Sequence, residues 1–235
     1  MSLRNSLRVR GVSGTVHLMF RRCLNFKRAP RQILSRTIDL ESFDRQHGVE
    51  TAGLIELDQL RFNSSSKTHG ARYDGIAPWR LKDLLRRIPV DLDRHTFVDV
   101  GSGKGAALFH ASEYPFRKIA GVEFSPELHE VALRNIASFR SSTRQCNDIT
   151  AICGDAGSYE YPEGPCVLFF NSPFGVPVWE KVARNLARSR RGQGKSYLIY
   201  SNIGWLPEAA EFVDKLSFLR LIHADDTSRV YEFIG

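Results

Sequence analysis

The run TFVDVGSGKGAALFH, Thr96 to His110, sets a β-branched, apolar stretch before a small-residue apolar one, with glycines at alternate positions 101, 103 and 105 between them. That pattern is a strand, a tight turn and a helix in succession. It constrains the rest of the chain, because a strand that feeds a helix pairs with a parallel neighbour reached by a crossover. Further strand patterns recur at Ile119–Glu123, Ile149–Cys153, Cys166–Asn171, Ser196–Ser201, Phe218–His223 and Val230–Ile234. Helical patterns fall at Gly105–Ser112, Pro126–Phe139, Val178–Ser189 and Pro207–Leu216. The alternation predicts an α/β, doubly wound, mainly parallel sheet covered on both faces. The last two strands are joined by ADDTS alone, too short for a crossover helix, so the C-terminal pair is expected to be antiparallel.

Charge divides the chain. Residues 1–38 hold nine of its 33 basic residues and no acidic one, which leaves 24 basic against 26 acidic residues for the remainder. The net charge of +7 therefore belongs to the N-terminal segment, and nucleic acid is not the expected partner of the following domain. Within that segment Val16, Met19, Phe20, Cys23 and Leu24 fall on one helical face among arginines. A targeting segment, a peripheral contact with an anionic membrane and a helix docked on the domain all fit this pattern. Residues 39–94 read as a helical cap or lid, with a polar loop at Arg61–Gly75 and an amphipathic helix in PWRLKDLLRRIP. Residues 95–235 carry the strand–helix alternation.

No apolar run reaches about eighteen residues, so no membrane-spanning helix is expected. Cys23, Cys146, Cys153 and Cys166 lack the paired spacing of a zinc site, and no metal is expected. Cys153 and Cys166 lie in apolar runs, where buried reduced thiols are the expectation. The reading is of a cytoplasmic protein, or a mitochondrial one if residues 1–38 are a targeting segment.

The glycine turn lies where open α/β sheets bind ligands, beyond the carboxyl end of a strand. It is not a phosphate-cradling P-loop, because Lys104 is followed by Gly105 rather than Ser or Thr. A dinucleotide fingerprint would have Ala106 as its third small residue, which that pattern accepts, so a nicotinamide-dependent oxidoreductase stays open. After the next strand stands Glu123, a carboxylate at a strand end that can accept both hydroxyls of a ribose. Ser125 and Pro126 read as the cap and first turn of the helix behind it. The third strand ends in CGDAGSY, with Asp155 at the position of an adenine contact, and the fourth in VLFFNSPFG.

Taken together, VDVGSGKGA, Glu123, GDA and NSPF resemble the class I S-adenosylmethionine-dependent methyltransferases, from about Phe97 to the C-terminus. The resemblance implies a Rossmann-like, seven-stranded sheet with an antiparallel C-terminal strand pair and, here, an N-terminal helical extension. It implies S-adenosyl-L-methionine as cofactor. The contacts it places are Asp99, Gly101, Ser102, Gly103 and Gly105 in the first motif, Glu123 and Phe124 at the second strand, Asp155 and Ala156 at the third, and Asn171 at the fourth. The glycines would then face an amino acid moiety rather than a phosphate.

At the methyl end Asn171 and Ser172 are the catalytic candidates, with Pro173 and Phe174 as substrate wall. Methylases of base amino groups carry N/D-P-P-Y/F here; Ser172 replaces the first proline, so that acceptor does not match. NSPFG partly echoes the non-SET histone-lysine methyltransferases. The stretches FDRQHGVETAG and THGARYDG either close over the cofactor, with Tyr73 or His69 near the methyl group, or belong to a helical cap packed away from the site. Trp79, Trp179 and Trp205 could line a substrate pocket or lie in the core. The expected acceptor is a small molecule or protein side chain; a protein that binds the cofactor without transferring its methyl group is the alternative.

Overall fold

The computed structural model describes residues 39–56, 70 and 72–234. The basic segment 1–38, with its amphipathic face and Cys23, lies outside the described residues, as does His69. Leu40–Gly235 form one compact unit, so the stretch read as a cap and the strand–helix region belong to the same body.

The described residues open with helical residues 39–47, here α1, followed by a short antiparallel pair of β1 (Leu54–Ile55) and β2 (Tyr73–Asp74). Helix α2 (Pro78–Leu85) starts on a proline at its first turn and buries Leu81, Leu84 and Leu85, as the spacing predicts. Then come β3 (Thr96–Val100), α3 (Ala106–Ala111), β4 (Lys118–Glu123), α4 (Pro126–Ser138), β5 (Ile149–Cys153) and β6 (Cys166–Phe170). The chain closes with α5 (Val176–Ser189), β7 (Tyr197–Ser201), α6 (Pro207–Val213), β8 (Leu219–Ala224) and β9 (Ser228–Phe233).

The seven strands from β3 on form one sheet in the order β5-β4-β3-β6-β7-β9-β8. The first five of that order pair in parallel; β9 runs antiparallel to both β7 and β8. The expected fold class is the one observed. The chain builds outward from β3 to β5, then returns to lay β6 on the other side of β3, so the sheet reverses its winding between β3 and β6.

Both faces of the central strands are covered, which is why their sequences read as continuous apolar runs rather than alternating ones. Val98, Val100, Leu168 and Phe170 pack with Trp179, Val182 and Leu186 of α5. Phe97, Val167 and Phe169 point the other way, toward Leu81 and Leu84 of α2 and Leu108 of α3. Trp179 is thus core, ringed by Phe170, Phe174 and Tyr200, and Trp79 is exposed.

Two readings need correction. Tyr73 and Asp74, read as loop, form a strand; a two-residue ladder is too short to leave an alternation in sequence. Cys166 is buried as expected, but Cys153 is exposed, because β5 is an edge strand and Cys153 is its last residue. Among the described residues no helix is long and apolar enough to cross a membrane.

His110 on α3 joins the sheet layer to the segment after β2. Its Nε2–H donates to the Ile76 carbonyl at 3.0 Å while its Nδ1 has no partner among the described residues. Burial lowers the imidazole to about 3, against the opposing pull of the Ile76 carbonyl. An unfolded histidine takes up its proton near pH ~6.5, so below that the unfolded chain holds the extra proton and stability falls as pH drops toward the folded value. His110→Gln, which keeps a donor for Ile76 and cannot titrate, is expected to flatten the fall in melting temperature between roughly pH 6.5 and 4. Parallel curves for the two proteins in a melting series would assign the slope to other groups.

Candidate active site

The winding reversal leaves a cleft beyond the carboxyl ends of β3, β4 and β6, and the predicted loops converge on it. It is walled by Asp99 near the end of β3 and Gly101, Ser102 and Gly103 after it, by Glu123 and Phe124 at the end of β4, by Asp155 and Ala156 after β5, and by Asn171, Pro173 and Phe174 after β6. Tyr73 closes it from the cap side.

Glu123 fixes the floor. Its carboxylate is buried, and one oxygen accepts the Gly103 N–H while the other accepts the Ser125 N–H, both at 2.8 Å. Ser125 is the N-cap of α4, its Oγ accepting the Leu128 N–H at 3.4 Å, with Pro126 in the first turn as the sequence predicts. Burial raises the Glu123 pKa, and the N–H donors of Ser125, Gly103 and Phe124 pull it back. Each oxygen keeps a second lone pair, so two hydroxyls could still be accepted.

Asp99 is the complementary case. It lies buried at the start of the loop, and its Oδ1 has no partner among the described residues. Burial, and then the charge of Glu123, hold its pKa well above the usual carboxylate range. A buried carboxylate oxygen without a donor is costly, and a cationic donor from a ligand would remove that cost. The site fits an ammonium group beside Asp99 and a diol beside Glu123.

The glycine loop approaches protein as well as cleft. Gly101 and Gly103 hold left-handed φ values of +82° and +52°. A Cβ on Gly101 would collide with the Pro173 ring, and one on Gly103 with the ring of Tyr73. Gly105, also at positive φ, is the N-cap of α3 and does not line the cleft.

Asn171 and Ser172 are separated by the geometry. Asn171 lines the cleft, yet its Nδ2 donates to the Asp74 carbonyl at 2.9 Å and its Oδ1 accepts from Asn202 at 2.8 Å. Ser172 has φ +50°, is fully buried and donates its Oγ proton to the carbonyls of Ser201 and Asn202. It is a turn residue outside the cleft, so its hydroxyl is not placed for chemistry there. Tyr73 donates its hydroxyl to the Thr51 carbonyl at 2.6 Å. Burial, and then the carboxylates of Asp44, Asp74, Asp99 and Glu123, raise its pKa, so the phenol stays protonated. Asp155 turns its Oδ1 to the Gly157 N–H at 2.7 Å, an Asx turn on the cleft rim. Trp205 lies under the Arg72 guanidinium, 4.3 Å from ring centroid to Cζ.

Sequence reading missed Arg72, Leu128, Cys153 and Val178, which also line the cleft. Leu128 and Val178 had a usable signal: each sits in the first turn of a helix that follows a cleft-side strand end. Arg72 lies in the THGARYDG stretch, where nothing singled it out, and Cys153 had no signal.

No family model and no curated protein matches the chain. Among solved structures it is similar to the PH0226 protein of Pyrococcus horikoshii OT3, at 15% identity over 66% of this chain and 87% of that one, with a TM-score of 0.50. It is also similar to a SAM-dependent methyltransferase of Thiobacillus denitrificans in complex with S-adenosyl-L-homocysteine (22% identity, 52% and 48% coverage, TM-score 0.39). A third is the Pyrococcus abyssi tRNA (uracil-54, C5)-methyltransferase with the same ligand (13% identity, 79% and 45% coverage, TM-score 0.46). At such identities the likeness speaks to the fold. The strand order, with β9 inserted antiparallel beside β7, is a Rossmann-like, doubly wound fold, and the likeness to the PH0226 protein is one of fold.

Gly103→Ala is expected to lose at least ~1–2 kcal/mol from the left-handed backbone alone, and more from the contact with Tyr73. Combined with Tyr73→Ala, the loss in denaturant unfolding should be smaller than the sum of the two single losses. Strict additivity would mean that ring and glycine do not meet.

Proposed function

We propose that the chain is an S-adenosylmethionine-dependent methyltransferase. The observation that carries this reading is the buried, unpartnered Asp99 oxygen in a cleft whose neighbouring strand ends in the doubly tethered Glu123. When bound, the cofactor would supply a methyl group on a cationic sulfur. Asp99 would hold its ammonium, Glu123 its ribose hydroxyls, and Phe124, Ala156 and Leu128 would wall the adenine. What remains for the protein is to orient the acceptor in line and to exclude water. Tyr73 and Phe174 form the apolar boundary of that end, and the protonated phenol is a donor rather than a base.

The acceptor enters between the cap and the turn after β6. A small molecule or a protein side chain suits a mouth framed by Tyr73, Asn171, Pro173 and Phe174. Nucleic acid stays among the acceptors to be assayed, because the charge balance of a whole domain does not describe its cleft mouth, where Arg72 stands. Transfer of labelled methyl groups into protein, nucleic acid and small-molecule pools separates the three.

Calorimetric titration with S-adenosylmethionine and S-adenosylhomocysteine is expected to give binding that Glu123→Ala abolishes and NAD does not compete. Ligand at 100 times its dissociation constant should stabilise the fold by about 2.7 kcal/mol. Asp99→Asn removes a charge-assisted contact and is expected to weaken binding by roughly 10–100-fold. Absence of binding to the intact protein, or displacement by NAD, would overturn the reading.

The raised Asp99 pKa adds a pH dependence with a definite sign. Below that pKa the carboxyl must lose a proton to receive an ammonium, so affinity should rise with pH through the Asp99 titration and then level off. Asp99→Asn should flatten the curve. An affinity that falls as pH rises over this range would place the ammonium elsewhere.

A further inference from the structure

Lys104 stands inside the glycine loop but turns away from the cleft. Its side chain is only 7% exposed. The ammonium donates to Glu50 Oε1 at 2.9 Å and to the Ala52 carbonyl at 3.1 Å, and lies 5.6 Å from the centre of the Tyr73 ring. A lysine in a surface turn has no reason to bury its stem and charge unless its partners matter to the position of something else.

Those partners form a knot at residues 50–52. Asp44 on α1 accepts the N–H groups of Thr51 and Ala52, each at 2.7 Å, and the Thr51 hydroxyl at 2.6 Å. Asn135 on α4 accepts the Glu50 N–H at 2.8 Å, and its Nδ2 donates to the carbonyls of Glu50 and Lys104, at 3.0 and 2.9 Å. The Tyr73 hydroxyl ends on the Thr51 carbonyl. Tyr73 is therefore held at both ends: its hydroxyl by the knot, its ring by Gly103. One residue further on, Asp74 is held by Asn171 from the far side of the cleft.

We infer that Lys104 is a positioning residue: by clasping Glu50 and Ala52 it sets the Tyr73 ring against Gly103, so that the cap and the cofactor loop form one wall of the cleft. This rests on the cofactor reading above and extends it. The cap residues 50–52 and 73 become part of the binding site although only Tyr73 lines it, and order in the cap and affinity for the cofactor become a single quantity. The ammonium acts on the reaction only through Tyr73.

Lys104→Met tests this, since methionine keeps the buried apolar stem and removes the charge. With S-adenosylhomocysteine as the probe, Lys104→Met and Tyr73→Phe are each expected to bind roughly tenfold more weakly in calorimetry. The double variant should be little worse than the weaker single one, because both changes release the same ring. Without ligand, amide exchange at Thr51 and Ala52 should quicken in Lys104→Met while the amides of β6 and β7 keep their protection. Binding equal to the wild type, exchange unchanged at 51 and 52, or strictly additive losses would each overturn the proposal. Should Lys104→Met fail to fold, Glu50→Ala, which removes the side-chain acceptor of the Lys104 ammonium at a side chain 68% exposed, carries the same comparison. If the wild type binds no S-adenosylhomocysteine, the cofactor reading fails while the exchange comparison still decides the latch.

Discussion

The Glu123 carboxylate organises the site before any ligand enters. Its two oxygens draw in the N–H of Gly103, from the loop after β3, and the N–H of Ser125, from the cap of α4. Two elements from neighbouring strands are thereby pinned to one buried point. Without those donors a carboxylate at 5% exposure would be a desolvated charge with nothing to offset it. With them it is a rigid acceptor whose outward lone pairs are fixed in direction. The arrangement has a cost, because burial already raises the pKa of the neighbouring carboxyl, Asp99, and the charge of Glu123 raises it further. The floor of the cleft is thus poised for a ligand bearing positive charge, and a ligand bearing phosphate would meet two carboxyls there.

The cap answers the same geometry from above. Winding reversal between β3 and β6 leaves two loops facing each other, and β2 spans them: Tyr73 meets Gly103 on one side, and Asp74 meets Asn171 on the other. Asn171 is one of the two catalytic candidates of the sequence, with Ser172. In the fold its amide is engaged at both ends, toward Asp74 and Asn202, so its geometry suits it to holding β2 over the cleft. Ser172 does the equivalent below, tying the turn after β6 to the end of β7. The NSPF turn thus ties sheet and cap together.

Much of this was legible because it is written in local patterns. Strand–helix alternation fixed the class, the short ADDTS connection fixed the antiparallel end, and Ser125-Pro126 marked the start of α4. Nine of the ten cofactor residues that the resemblance implies line one cleft, since strand-end positions are set by the same alternation; Gly105 alone lies behind it. What stayed hidden depends on direction across space. Periodicity does not report that Lys104 turns toward Glu50, that a two-residue strand carries Tyr73, or that β5 ends at an edge and leaves Cys153 exposed. Nor does it distinguish a polar side chain left unpartnered at the cleft from one already spent on a backbone carbonyl, which is the difference between Asp99 and Ser172.

The glycines show why. Close approach by a ligand and close approach by a neighbouring ring make the same demand, a missing Cβ at positive φ. In this chain Pro173 claims Gly101 and Tyr73 claims Gly103, while the opposite side of the same loop forms the cleft beside Asp99. The alternate spacing lets one backbone serve two surfaces at once. In this fold the glycine loop is squeezed between cleft and protein, and the identity of the protein partner, here a tyrosine fixed by Lys104 through the knot at residues 50–52, sets the shape of the cleft wall.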